Sequence, residues 1–532
     1  MGSKWGTRSF RQDRLSGRGF VSFLRPFVIC ADVSSEPSSK ATVIIEDVSL
    51  LAEDPDVENV KAERLLKLHL ERSFLDSPDG IPTATLDSAI RFSDFAKLFD
   101  GGDRSHEANI WRLGVALFDD IDLRLPFDAS EDLVQRISEI RRKLALSKWL
   151  ENAVAPSVEH DLLATSENCP AKVFTLLSGN QVDRAVQSAL DGNDMRLATL
   201  IAQAGGPDIF REEVMRQLED WQKYKANPLI AVEYRRLYAL LAGITDMSPG
   251  DASHGSDSCP DVLVSDGLDW KRAFGLRLWY GDAFDSTTGY VLDSYDSALV
   301  SAHAPAPPLP PYLEKPPDLS RSWNMSNPSK DVLHGLMHLY SDITVSLDQV
   351  LRSRDCSPSP LDLRLPWHLY MLLSRVLAKR DFEDRDEGYS ANANQVTSGY
   401  AMQLEKSGRW KWAVFVLLHL ETTDGREAAL KALLLRHPDP SAEERSFLDK
   451  LQVPAGWLHE AQAADLAAAG DAFGEFHALL RAGLYNRAHR LLTSGFVSEA
   501  VLRGDYSLVR RLCEPLEEHH PDGWEYGGKA SS

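Results

Sequence analysis

Between Tyr400 and Leu435 the chain reads YAMQLEKSGRWKWAVFVLLHLETTDGREAALKALLL, and within it Ala413 to Leu420 carries one polar residue, His419. Eight near-continuous apolar positions fit a buried strand or a buried helix. Gly408 and the break from Thr422 to Gly425 divide the stretch into three helix-length segments, so helix is the reading. A helix wet on no face needs neighbours on several sides, which places this one in the middle of a large helical stack.

The helical period recurs along most of the chain. Val60, Leu65, Leu66, Leu68 and Leu70 predict a charged helix from about Val57 to Phe74, with Asp54 or Asp56 as its cap. After a polar turn at Ser77 to Pro82, Ile90, Phe92, Phe95 and Phe99 predict a short one. Ile110, Leu113, Leu117 and Ile121 share a face that Trp111, Val115 and Phe118 widen, so Ile110 to Leu123 is a helix packed on more than one side and ended by Pro126. Leu133, Ile137, Ile140, Leu144 and Trp149 predict a helix near 131–152, followed by another near 157–165. Short helices at 182–190, 195–204 and 208–220, joined by Gly, Asn and Asp, then follow the grammar of αα-hairpins. Regular spacing resumes at 270–284, 331–351 and 366–376. Beyond Pro438, Ser441 and Glu444 form a capping box, and helices ending near Gly470, Gly483, Gly495 and Gly504 give a repeat-like texture. Single hairpins are only marginally stable, so these must stack.

Residues 1–50 break the pattern. Phe20, Val21, Phe23, Phe27, Val28 and Ile29, then Val43, Ile44 and Ile45, are aromatic or β-branched residues in short runs, which predict strands. Two or three strands cannot bury a core alone. They either pack on the helical body or complete another protein's sheet by strand addition. The Gly-, Ser- and Asp-rich stretch at 244–268 predicts a disordered or poorly ordered loop, the Pro-rich stretch at 301–317 a surface spacer, and 380–393 a polar connector.

Composition narrows the function. The 532 residues exceed an ordinary single core but suit a helical solenoid. A net charge of -21 with no concentrated basic patch argues against direct nucleic-acid contact. The five cysteines, Cys30, Cys169, Cys259, Cys356 and Cys513, are isolated and odd in number, which fits a reducing compartment. Apolar runs fall short of the roughly 18–20 residues that span a bilayer, and no signal-peptide pattern opens the chain, so no transmembrane segment is expected and the protein should be soluble.

No phosphate-binding loop, dinucleotide fingerprint, zinc-protease motif or nucleophile elbow occurs. His334 and His338 have metal-ligand spacing on one helix face, but without a third ligand in the sequence they read as two surface or partly buried histidines. Asp119, Asp120 and Asp122 read as a solvated helix end, and Asp191, Asn193 and Asp194 as a turn; neither follows a calcium-loop pattern. No catalytic residue, metal or cofactor is expected. The residues alone leave a scaffold subunit, a vesicle-coat cage subunit and a peptide-binding adaptor solenoid open.

Four segments carry a resemblance: FVSFLRPFVI (20–29), IWRLGVALFDDI (110–121), LPWHLYMLLSRVL (365–377) and, most specifically, YSANANQVTSGYAMQLEKSGRWKWAVFVLLHL (389–420). Over roughly residues 5–520 the chain resembles the scaffold nucleoporin of the Y-shaped nuclear pore coat complex, the family cleaved from an FG-nucleoporin precursor. That resemblance implies a mainly α fold, the folded-back helical solenoid of the ancestral coatomer elements, with a short N-terminal β-blade. It assigns 1–50 to the blade, 51–130 and 300–440 to two passes of a trunk, 131–299 to a crown and 441–532 to tail hairpins. Helices 110–121 and 412–420 should then be neighbours in the trunk core.

The resemblance also implies partners. Phe20, Val21, Phe23, Phe27, Ile29, Val43, Ile44 and Ile45 would bind a β-propeller subunit shared with the COPII coat. Crown residues, with Trp149, Phe174, Leu197, Leu200 and Ile201 as candidates, would meet the adjacent stem scaffold nucleoporin. Trunk or tail would meet hub nucleoporins of the Y complex. The implied setting is the outer ring of the pore at the nuclear envelope, supporting transport of mRNA and protein.

Overall fold

The computed structural model describes residues 20–24, 27–32, 42–47, 55–126, 129–165, 168–206, 208–251, 258–281, 286–313, 330–359, 361–379 and 390–524. Three strands come first, β1 (Phe20–Leu24), β2 (Phe27–Asp32) and β3 (Thr42–Asp47). They pair as an antiparallel meander in which Phe20 faces Ala31 and Phe27 faces Asp47. Where the side chains of Phe20, Val21, Phe23, Phe27, Ile29, Val43, Ile44 and Ile45 sit lies outside the described residues.

Helix α1 (Pro55–Glu71) stops short of the expected Phe74. The chain turns instead into a hairpin of β4 (Ser73–Asp76) and β5 (Thr83–Leu86). Long-range pairing favours it, because the Ala84 N–H donates to the Leu418 carbonyl at 3.1 Å. After α2 (Phe92–Ala96), helix α3 (His106–Phe118) ends eight residues before Pro126. What stops it is Asp119, which leaves the helical conformation (ψ 155°) and turns its carboxylate onto the first N–H groups of α2. Asp119 is 6% exposed, so this helix end is not the solvated terminus that its three acids suggest.

Helix α4 (Glu131–Ala164) is a single rod where two helices are expected. Pro156 removes one backbone donor, yet Trp149, Leu150, Ala153, Val154 and Val158 are buried on both sides of it, and that packing carries the helix through. Short helices follow: α5 (Cys169–Leu177), α6 (Val182–Asp191), α7 (Met195–Ile201), α8 (Asp208–Lys223) and α9 (Val232–Leu241). The stretch expected to be disordered is anchored at both flanks. Strands β6 (Met247–Ser248) and β7 (Val262–Leu263) pair, and Arg235 and Arg236 donate to the carbonyls of Pro260 and Val264 at 3.0 and 2.9 Å. Its tip, 252–257, lies outside the described residues.

The chain continues through α10 (Trp270–Leu276), a π turn at Arg277–Gly281, and α11 (Thr288–Leu299). The described part of the Pro-rich stretch is fastened down: Tyr295 donates to the Ala306 carbonyl at 2.5 Å, and Pro308 accepts from the Asp331 N–H at 2.8 Å. Residues 314–317 of that stretch and 380–389 of the connector lie outside the described residues. Then come α12 (Val332–Ser341), α13 (Leu347–Val350), α14 (Ser353–Cys356) and α15 (Arg364–Tyr370), the last running into a π turn at Met371–Val376.

The organising triad is α16 (Ala391–Lys406), α17 (Trp410–Leu417) and α18 (Thr423–Arg436). In α17 every residue but Lys411 is buried, as the apolar run demands. The capping box forms at the start of α19 (Ala442–Lys450), and its Glu444 also accepts from the Trp410 indole at 2.8 Å. The tail is α20 (Ala455–Ala469), α21 (Ala472–Arg481), α22 (Tyr485–Leu491), α23 (Val497–Arg503) and α24 (Tyr506–Glu517). Gly470 closes α20 in the left-handed region at φ 79°. Gly495 ends nothing, because a π turn at Leu492–Phe496 joins α22 to α23.

One core runs from Leu65 to Ala461, and a separate one lies within the tail from Ala463 to Leu516. The first third of the chain packs back on the return segment, though not by the expected pair of helices. α3 lies against α12, while α17 lies against α16 and α18. Glu107 of α3 and Arg364 of α15 form a two-pronged ion pair at 2.8 and 3.0 Å, and His69 of α1 stacks on Trp367 at 4.6 Å. Helices 110–121 and 412–420 therefore contribute to one core through intermediaries. The apolar circumference of α3 is taken up by α2, α4 and α12, and that of α17 by α16, α18 and α19. Among the described residues no helix is long and apolar enough to cross a membrane.

Candidate functional site

The five residues expected to face a neighbour at 131–299 are mostly spent inside. The indole of Trp149 donates to the Asn109 carbonyl at 3.0 Å, fixing α4 to α3. Phe174 is buried beneath the Arg236 guanidinium, 3.9 Å from the ring centroid, and burial lowers that guanidinium to about 10. Leu197 and Ile201 are buried in the α7 interior; Leu200 alone is half-buried, against the small cluster of Phe210, Val214, Tyr238 and Leu241. The reason is geometric: helices this short bury their strongest apolar positions against their own hairpin partners.

The apolar side chains that reach solvent here lie elsewhere. Met195 and Ile209 are 68% exposed, Leu229 is 87% exposed, and Tyr224 and Val232 are also exposed. They sit at the starts of α7, α8 and α9 and in the connection between α8 and α9. Further along α8 from Ile209, a shallow open groove is lined by Arg211, Glu212, Met215, Arg216 and Glu219 and by Ala242. Sequence periodicity misses such residues because they fall at helix ends and in connections, where no period applies. The sequence signal available was an apolar residue inside a connection, as at Leu229 beside Pro228. The tail has a comparable set in Phe473, Leu502 and Tyr506.

Two histidine clusters form, one that sequence spacing does not show and one that it shows only in part. In the first, His69, His368 and His419 meet where α1 packs on α15 and α17. The Nδ1 atoms of His69 and His368 are 3.1 Å apart, one donating to the other, while His419 Nδ1 approaches the Phe415 carbonyl at 3.2 Å. Burial, and then the neighbouring cations and imidazoles, hold His69 and His368 well below the usual imidazole range; burial brings His419 down to about 4. This is a neutral core contact.

The second cluster supplies what the sequence lacked. Asp296 of α11 places its carboxylate between His334 and His338 of α12, with Oδ1 2.9 Å from His334 Nε2 and Oδ2 2.7 Å from His338 Nε2. His334 is fully buried, and burial lowers its affinity for a proton; Asp296 and His338 keep partial solvent access. Burial alone would raise the Asp296 carboxyl, but the two imidazoles close against it overcome that and hold the group well below the usual carboxylate range. The third ligand missing from the sequence is thus present, on the neighbouring helix.

Comparison with known proteins adds the last observation. The family model described as Nup96, Nuclear protein 96, matches residues 171–465, just over half the chain. The chain is similar to nucleoporin nup189 of Schizosaccharomyces pombe, 29% identical over 445 residues that make up 80% of this chain and 24% of that protein. It is similar to the nuclear pore complex protein Nup98-Nup96 of Drosophila melanogaster, 28% identical over 438 residues, 80% of this chain and 21% of that protein. With the nuclear pore complex protein NUP96 of Arabidopsis thaliana it shares 26% identity over 501 residues, 88% of this chain and 45% of that protein. The chain therefore spans less than half the length of each of these relatives.

Proposed function

The chain belongs to the Nup96 family, and from that membership we propose that it is a scaffold subunit of the outer-ring, Y-shaped coat of the nuclear pore complex. It is a nucleoporin, a structural pore component rather than an enzyme, and its place is the nuclear pore at the nuclear envelope. In that role the helical body links neighbouring nucleoporins, through the hairpins α5 to α9 on one side and through trunk or tail to hub nucleoporins on another, and so supports traffic of mRNA and protein. The observation that carries the reading is the doubling-back of 55–118 onto 332–420, tied by Glu107–Arg364 and by His69 on Trp367, while hairpins extend beyond it. Doubled trunks resist bending better than a single file of hairpins, which suits a permanent framework.

The meander β1–β2–β3 would complete a β-propeller in trans. A three-stranded sheet has two edges with unpaired backbone groups, and a propeller closes its own edges only when every blade is present. Deleting residues 1–50 should abolish co-purification with a propeller partner and leave the helical circular dichroism intact; a stable propeller complex made by the deleted chain would overturn the assignment.

The neighbour contact would use the exposed Met195, Ile209 and Leu229 rather than the buried candidates, since interface anchors must be reachable before binding. A triple change of Met195, Ile209 and Leu229 to Glu should stay folded and monomeric yet lose the adjacent helical nucleoporin in gel filtration. Retained binding would remove this face.

A further inference from the structure

His334 and His338 are one helical turn apart on α12, so both imidazoles project from the same face. Asp296 approaches from α11, the helix packed beside it. The donor atoms His334 Nε2, His338 Nε2 and one carboxylate oxygen all lie within 4.8 Å of one another. The two contacts are not equivalent. His334 Nε2 makes a hydrogen bond to Oδ1, whereas His338 Nε2, though 2.7 Å from Oδ2 and shielded from water, has no partner in hydrogen-bond geometry. A buried ring nitrogen left unpartnered beside a carboxylate costs free energy, and a cation among the three groups would use its lone pair.

We propose that Asp296, His334 and His338 bind a first-row divalent cation, zinc foremost, which staples α11 to α12 across the intervening Pro-rich stretch. Two imidazole nitrogens and one carboxylate oxygen are a donor set that suits zinc, with a fourth position left for water. Donors around zinc at about 2.0–2.1 Å in a tetrahedron stand about 3.3 Å apart, so the two nitrogen–oxygen contacts must open by about half an ångström and any donor pair now nearer the 4.8 Å limit must close. Asp296 is 29% and His338 20% exposed at the side chain, which gives the ion and its water a route in, while His334 at 0% anchors the inner side. The staple closes a connection of about thirty residues between α11 and α12, the arrangement in which a cross-link restricts the unfolded chain. The His69–His368–His419 cluster has no carboxylate among its three rings and does not offer this donor set.

The test uses the full chain, treated with EDTA, exchanged into metal-free buffer and titrated calorimetrically with zinc sulfate. One zinc per chain is expected, with a rise in melting temperature that EDTA reverses. The double variant Asp296→Asn, His338→Gln should weaken binding by more than the roughly 10–100-fold that loss of an outer-shell partner costs. Cobalt(II) substitution of the unaltered chain gives a readout that does not depend on the variant folding: visible d–d bands of a four- or five-coordinate ion without a thiolate charge-transfer band support N and O ligands. No zinc uptake, uptake unchanged in the folded double variant, or a thiolate band that moves the ion to the cysteines would each overturn the proposal.

Discussion

His419 stands out in the sequence as the one polar residue in an apolar run, but its partners do not, because His69 and His368 reach it only through tertiary packing. His69 and His368 are 299 residues apart. The environment they share makes a pH prediction. His69 and His368 are fully buried and His419 is half-buried, each with proton affinity lowered chiefly by burial, and His106 is brought down to about 3 in the same way. A depressed imidazole pKa means that the unfolded chain takes up a proton the native state refuses. Stability is therefore intact above the ordinary value of 6.5 and falls as the pH drops towards the folded value, about 4 for His419. Each such group contributes a slope of about 1.4 kcal/mol per pH unit in that window. Urea midpoints should drop steeply between pH 6.5 and 4.5, and His419→Leu should remove close to one proton from the slope. A flat profile across that window would show that these rings are not buried and neutral. Asp296 was hidden from sequence reading for a related reason, since one of two acids on α11 gains meaning only once α12 lies beside it.

Elements were legible where the period is strong and the ends are marked. The α16–α17–α18 triad follows from Gly408 and the polar break before α18, and the Ser441–Glu444 box forms as its spacing requires. Elements set by distant partners were not legible. The β4–β5 hairpin depends on Leu418, and α4 passes Pro156 because burial on both sides outweighs a missing donor. The end of α3 belongs with these, since Asp119 acts on another element: its carboxylate accepts from the N–H groups of Phe92 and Ser93 at 2.9 and 2.8 Å. Burial raises the Asp119 carboxyl and those two bonds oppose it, so the group works as a paired acceptor. Asp119→Ala leaves both donors without that partner at the start of α2, and each buried orphan costs about 1–3 kcal/mol. The variant should lose about 2–4 kcal/mol in chemical denaturation with helix content nearly unchanged. A loss below about 0.5 kcal/mol, the size of an ordinary surface change, would show that water replaces the carboxylate.

For the whole molecule, the mainly helical class follows from periodicity and the folding-back from resemblance, whereas the residues that join the two passes emerge only in three dimensions. The two most apolar helices were expected to touch, yet α17 spends its surface on sequence neighbours and α3 on α2, α4 and α12, and the passes are tied by that α3–α12 packing and by polar and aromatic groups between them. Glu107 and Arg364 are the clearest of these, 257 residues apart, with side chains 12% and 8% exposed and two bonds between them. Removing the charge from Glu107 takes a bidentate carboxylate from a buried guanidinium, and the Asp362 carboxylate beside it is 3.9 Å away, too far for a good hydrogen bond. Breaking one side of such a pair costs about 3–5 kcal/mol, and Asp362 should keep the loss near the lower end. Because the pair joins distant segments, the loss should appear as weakened protection of both passes together. Hydrogen exchange on Glu107→Gln should therefore rise in α3 and in α15 by similar factors, while the tail helices, with their separate core, stay unchanged. Exchange confined to α3 would mean that the passes are held by α1, the hairpin and the α3–α12 packing, and that the ion pair fixes only the local orientation of its own helix.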